Sequence, residues 1–276
     1  MVTHVRLLMA AAIAALGVTL VVTWVQWLGR YRGPDRTDIR TFFGGALVPS
    51  PRGAFGDRNL MLLEEPRFGR MLRVTYPKGS ASPTVHRDGQ APLGGAQLYL
   101  RLRQPVDTLH LRYYVRFPHG FDYVKGGKLP GLFGGTVTGG RRSPDGTNGF
   151  STRYMWRRDG AGEVYAYLAT SQGEGTSLGR GAWHFRPGDW HLIEQEVVLN
   201  QPSRADGSVK VWLDGRQVLD EGGLRFRTVG DLRIEGVLFS TFFGGSDRTW
   251  ATPRDTHVDF AAFAVGSRYL GPIRSP

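Results

Sequence analysis

The chain has 276 residues, is 41% hydrophobic, contains no cysteine and carries a formal net charge of +11. The missing cysteine excludes disulfides, thiolate nucleophiles, cysteine–zinc sites and iron–sulfur clusters. The basic excess suits an acidic partner such as nucleic acid, an anionic membrane face or an acidic polymer, and an arginine-rich, lysine-poor composition is equally a habit of GC-rich bacterial genomes.

The first element is residues 7–28, an almost unbroken apolar run. About 22 residues rising 1.5 Å each cover roughly 33 Å, enough to cross a bilayer core. Trp24 and Trp27 stand near its end, where interfacial aromatics are favoured, and Arg30 and Arg32 follow. The run continues past the small residues Ala11, Ala12, Ala14 and Ala15, so an uncleaved transmembrane anchor over 1–30 is expected rather than a cleaved signal. Residues 31–37, charged and interrupted by Gly33 and Pro34, read as a linker, and 38–276 as one large domain.

Short apolar runs with turn residues between them fill that domain, at 71–77, 96–102, 108–118, 191–199, 209–215, 234–243 and 258–265. In the third, Leu109, Leu111, Tyr113 and Val115 alternate with His110, Arg112, Tyr114 and Arg116, as in a half-buried antiparallel strand. Asp214-Gly215 reads as a hairpin turn. No sustained helical period and no long repeat interrupts the series, which predicts an all-β, two-sheet sandwich of jelly-roll type without helices between its strands.

Two segments carry chemistry. Ser151 and Arg153 are two apart on one predicted strand, and Glu163, Tyr165 and Tyr167 alternate on the next, so each set shares a face. The turn-rich link 157–162 folds the second strand back beside the first. Upstream, Gly126-Gly127-Lys128 lacks the spacing and following helix of a phosphate loop and reads as a sharp loop carrying Lys128, continued by Gly134-Gly135 and Gly139-Gly140. The histidines show no metal-ligand spacing, and no basic helix favours nucleic acid.

The run 125–132, Ser151-x-Arg153, Trp156, Tyr165-x-Tyr167, the 185–191 stretch, Leu199-Asn200 and the 239–245 stretch together resemble the polysaccharide lyases of family 14, which are alginate and glucuronan lyases with a β-jelly-roll fold. The resemblance runs from about Tyr76 to Val265. It implies β-elimination of a 4-linked uronate in an acidic polysaccharide, with no metal or organic cofactor. It also carries Ser151, Arg153, Tyr165 and Tyr167 over as site residues, with Lys128 matching the catalytic lysine and Lys125 as the alternative. The chemistry agrees. A fixed cation aimed at the carboxylate stabilises the negative charge that spreads into it when the C5 proton leaves, which suits Arg153 and Lys128. A phenol can act as base and acid if a nearby cation lowers its pKa, which suits Tyr165 and Tyr167.

Ser151, Lys125, Trp156, Glu163, His191 and Phe242 complete the set as substrate-binding candidates. Glu163 reads as an exposed strand residue rather than a partner for Arg153, which stays the alternative, and His191 as a structural histidine after a turn that stays a candidate for the cleft. Phe242 belongs to an aromatic run that could stack a sugar. Two other functions fit the same fold: a hydrolase using Glu194 and Glu196, which share a strand face, and a carbohydrate-binding module without turnover. Lys and Arg counts around the apolar run favour a cytoplasmic domain, but a polymer-cutting domain belongs outside, so a membrane-anchored domain outside the cytoplasm, or a secreted one, is expected.

Overall fold

The computed structural model describes residues 36–140 and 142–273, so the expected anchor and most of the expected linker lie outside the described residues. In chain order the elements are α1 (Arg36–Phe42), β1 (Leu47–Phe55), β2 (Leu60–Glu65), β3 (Gly69–Tyr76), α2 (Pro83–Arg87), β4 (Ala96–Val106), β5 (Thr108–Arg116), β6 (Gly126–Gly135), β7 (Gly149–Arg157), β8 (Gly162–Tyr167), β9 (Thr176–Leu178), β10 (Trp190–Val198), β11 (Gly207–Leu213), β12 (Arg216–Leu224), β13 (Ile234–Phe243) and β14 (Thr256–Gly266). No helix among the described residues is long and apolar enough to cross a membrane.

The strands form two antiparallel sheets of seven, ordered β1-β4-β13-β6-β7-β8-β9 and β12-β11-β10-β5-β14-β3-β2. This is the expected two-sheet sandwich. Alternate residues from the facing sheets fill the space between them: Leu98, Leu100, Phe150, Tyr154, Trp156 and Phe239 from the first, and Leu111, Tyr113, Val115, Ile193, Val211 and Phe260 from the second. Each large apolar side chain buried this way contributes about 1.5–3 kcal/mol. Polar pairs also cross the core: Thr152 Oγ1 donates to Gln195 Oε1 at 2.6 Å and Gln195 Nε2 returns a bond to Thr152 O at 3.2 Å, and Tyr113 donates to Pro130 O at 3.0 Å.

Three expectations need correction. Two short helices are present. Pro83 opens α2, where its missing N–H costs nothing, and Ser82 Oγ accepts from Val85 N, while α1 lodges Ile39 in the core and Phe43 follows it there directly after the helix. The half-buried strand β5 is covered on both faces. Its outward Tyr114 packs with Met71, Leu192 and Ala261, and its hydroxyl accepts from Ile273 N of the C-terminal segment. Most consequential, residues 126–135 are not a loop but the central strand β6.

The glycines of β6 are there because the space a side chain would need is filled. A Cβ on Gly127 would strike the Trp156 indole, one on Gly134 the Phe150 ring, and one on Gly131 the backbone of Thr152 and Arg153. Close inter-strand approach thus outweighs the poor strand propensity of glycine. Gly131→Ala is therefore expected to cost about 1–3 kcal/mol by overpacking. Urea denaturation checks this, and a loss below 0.5 kcal/mol, the scale of an ordinary surface substitution, would contradict it.

Candidate active site

The outer face of the first sheet carries the site. Along β7 the side chains of Ser151, Arg153, Met155 and Arg157 point outward, while Phe150, Thr152, Tyr154 and Trp156 point to the core. β8 pairs with β7 in register, setting Ser151 opposite Tyr167, Arg153 opposite Tyr165 and Met155 opposite Glu163. The turn between them is a 3₁₀ turn at Arg158–Gly160 with Asp159 at φ 57°, a left-handed position that aspartate tolerates better than most residues. On the other side of β7, β6 places Lys128 opposite Met155, and β13 places Phe242 opposite Lys128.

The side chains converge. Lys128 Nζ lies 3.5 Å from the centroid of the Tyr165 ring and donates to Met155 Sδ at 2.9 Å. Arg153 Nη1 donates to Ser240 Oγ at 3.2 Å and Nη2 to Thr138 O at 3.4 Å, and its guanidinium lies 5.9 Å from the Tyr167 ring. Ser151 Oγ donates to the same Thr138 carbonyl at 2.6 Å, and Tyr167 donates to Gly140 O at 3.2 Å. The Tyr165 hydroxyl accepts from Gly175 N at 3.0 Å, and the two tyrosine rings meet edge to face at 5.7 Å. Ser240 Oγ also donates to Gln97 Oε1, and Tyr99 shares a hydrogen bond with Thr138 Oγ1. Gln97, Tyr99, Thr138, Met155 and Ser240 were missed in the sequence. The alternation of Gln97 and Tyr99 in β4 was the available signal.

Burial dominates the electrostatics. Lys128, 8% exposed, has its pKa pushed well below the usual lysine value by desolvation first and then by Arg153 and Arg157. Arg153, 5% exposed, is lowered by burial as well, and its Nε is buried without a hydrogen bond among the described residues. Tyr165 and Tyr167 are both raised by burial, and the Arg153 charge beside Tyr167 only offsets part of this. The expected lowering of a phenol by a neighbouring cation is therefore overridden in the free protein, where both tyrosines hold their protons.

Lys128 makes stability depend on pH. Its folded-state pKa lies below its unfolded value near 10.5, so the folded protein binds fewer protons than the unfolded chain between the two. Stability attributable to Lys128 therefore rises with pH across that window and is lost as pH falls through the folded pKa. Lys128→Met is expected to flatten this slope in denaturation curves taken from pH 7 to 10. An unchanged slope would mean that Lys128 titrates like an exposed lysine.

The remaining candidates separate. Glu163 is fully buried, not exposed, and accepts from Arg157 Nε and Arg180 Nε, each at 2.7 Å. Burial pushes its carboxyl up, but the two arginines win and hold it below the usual range. Phe242 faces the cleft side of β13 and contacts Phe55, with ring centroids 6.2 Å apart. Lys125 stands apart from the Lys128 cluster, donating to Thr249 Oγ1 and lying 5.9 Å from the Trp250 ring. Trp156 is not in the cleft. It is wholly buried in the core, edge to face with Phe243 and Phe117, and donates to Tyr123 O. His191 is not in the cleft either. It belongs to β10 of the other sheet, where Nε2 accepts from Arg186 N and Nδ1 pairs with Asp214. Glu194 and Glu196 also lie on that sheet and face outward from it. Glu194 is buried against His110 and the backbone N–H groups of Leu270 and Gly271.

Comparison with known proteins follows this geometry. The Polysaccharide lyase 14 family profile matches residues 65–263. The marine PL-14 alginate lyase from Aplysia kurodai is 32% identical over 86% of this chain and 97% of its own, with a TM-score of 0.70. An alginate lyase from a Chlorella virus, at 21% identity over 84% and 97% of the two chains and a TM-score of 0.71, shares the fold. So does the endo-β-1,4-glucuronan lyase of the fungus Trichoderma reesei, at 11% identity over 82% and 92% and a TM-score of 0.54. No curated protein matches the chain.

Proposed function

This chain belongs to the polysaccharide lyase 14 family, and from that premise we propose that it cleaves a uronate polymer of the alginate or glucuronan class by β-elimination at the Lys128–Arg153–Tyr165–Tyr167 cluster. The observation that carries the reading is the pairing of Arg153 with Tyr165 and of Ser151 with Tyr167 across β7 and β8, with Lys128 against the Tyr165 ring. A guanidinium that receives the uronate carboxylate neutralises it as the C5 proton is withdrawn and negative charge moves into the resulting enolate. The electron pair of the C5–H bond becomes the C4–C5 double bond, the C4–O4 bond breaks, and a proton passes to O4.

The protonated phenols of Tyr165 and Tyr167 are poised as proton donors to that oxygen. Proton removal at C5 needs an unprotonated group. The depressed pKa of Lys128, or a phenol that has given up its proton once substrate is bound, supplies one. Ser151, bonded to the same carbonyl as Arg153, holds that acceptor in place beside the guanidinium. The hydrolase alternative loses its carboxylates, since Glu194 and Glu196 face outward from the opposite sheet. The net charge of +11 draws a polyanion toward the cleft.

Incubation of the protein with alginate, glucuronan and other polyuronates tests the reading through ultraviolet absorbance. A conjugated C4–C5 double bond appears on β-elimination. A flat absorbance with new reducing ends would replace the lyase by a hydrolase, and no cleavage at all would favour a binding module.

Residues 7–28 supply the placement: we propose an anchor that holds the catalytic domain, residues 38–276, at a membrane and outside the cytoplasm. The length and apolar character of the run support it. Protease added to intact cells should release the domain, and its protection would place it on the cytoplasmic side.

A further inference from the structure

Beside the catalytic cluster the sheet surface continues into a groove of about 630 Å³, with Tyr165 on the border of both. Lys125, Arg157, Arg180 and Trp250 line it. Arg158 and the carboxylate Glu174 also line it, and two of its three arginines, Arg157 and Arg180, are fixed from below. Glu163, wholly buried, accepts from Arg157 Nε with one oxygen and from Arg180 Nε with the other, and Ser177 donates to it at 2.9 Å. One carboxylate therefore orients two guanidiniums by their inner nitrogens. The outer Nη1 of each makes no hydrogen bond among the described residues. A guanidinium held in this way presents a preorganised fork of the shape that receives a carboxylate. The Trp250 ring lies 5.9 Å from Lys125 Nζ and 6.0 Å from the Arg157 guanidinium, so an aromatic face stands directly beside the cations.

We propose that this groove is a second carboxylate subsite, in which Arg157 and Arg180 grip the carboxylate of a uronate unit flanking the one under attack and Trp250 packs against its ring. Glu163 is then a positioning residue, acting through the two arginines. The proposal rests on the lyase reading of the neighbouring cluster, because only a polymer with regularly spaced carboxylates presents one to each site.

Calorimetric titration of Tyr167→Phe protein with tetramannuronate and with tetraglucuronate tests it, since binding is then read whether or not a bond is cut. Arg180 has a side chain 55% exposed, and Arg157 and Ser177 keep both oxygens of Glu163 partnered when it is replaced. Arg180→Ala and Trp250→Ala are each expected to weaken the better-bound tetramer about tenfold, the scale of one charge-assisted hydrogen bond. Arg180→Ala should also reduce the salt dependence of binding, Trp250→Ala should not, and Arg180→Lys should restore part of the affinity. Affinity within twofold of the parent in both alanine variants would overturn the proposal, as would failure of both tetramers to bind the parent. The lyase reading fails separately, through a flat absorbance with the wild-type protein.

Discussion

Arg153→Met is expected to lower kcat/KM on a polyuronate by about 10²–10³-fold, the cost of removing one preorganised group that stabilises developing negative charge. The same substitution should leave the melting temperature equal to or above that of the wild type. Arg153 is a buried cation whose hydrogen-bond partners, Ser240 Oγ and Thr138 O, are both neutral, and it shares its surroundings with Lys128. Removing the guanidinium strands neither partner: Thr138 O still accepts from Ser151, and Ser240 Oγ still donates to Gln97. Methionine keeps the bulk of the stem. A site residue that costs stability and supplies activity should therefore show opposite signs in the two measurements. A parallel loss of melting temperature and turnover would make Arg153 a structural residue, and wild-type turnover would remove it from the mechanism.

Tyr167→Phe is expected to lower kcat by about 10²–10⁴-fold, the range for loss of a general acid or base. The structural cost is confined to one hydrogen bond, from the hydroxyl to Gly140 O at 3.2 Å, and should be about 0.5–1.5 kcal/mol. Because burial raises the phenol above its ordinary value, activity that depends on its proton should persist to pH 10 before a basic limb appears. Single-turnover rates across pH check this. A Tyr167→Phe rate within threefold of the wild type would transfer the proton-donating role to Tyr165, whose hydroxyl is occupied in accepting from Gly175 N.

The shared face of Ser151, Arg153, Tyr165 and Tyr167 was legible because strand periodicity is local, and two residues apart means one side whatever the rest of the chain does. The same rule already spoke against Trp156, which is out of phase with Arg153 and so belongs to the core. Arg157 was in phase and was passed over, because nothing in the sequence announces that Glu163 will be sealed beneath it. β6 was illegible for a different reason. A strand holding Gly126, Gly127, Gly131, Gly134 and Gly135 reads as a loop until the Trp156 and Phe150 rings that occupy the vacant side-chain space are known. His191 failed on topology, since no local pattern tells which of two sheets a strand will join.

The carbonyl of Thr138 gives the empty enzyme a particular resting state. It receives both Ser151 and Arg153, and two residues on the Gly140 carbonyl receives Tyr167, so one short stretch of main chain satisfies three groups of the site. A uronate arriving at Arg153 consequently finds a guanidinium that already has a partner. Only two of its five N–H donors are engaged, by neutral oxygens, and the buried Nε has no partner among the described residues, so docking adds a charged carboxylate to a guanidinium already aimed by its surroundings. A neutral sugar offers such a guanidinium no more than the amide oxygen it already has, whereas a carboxylate offers a charge-assisted bond.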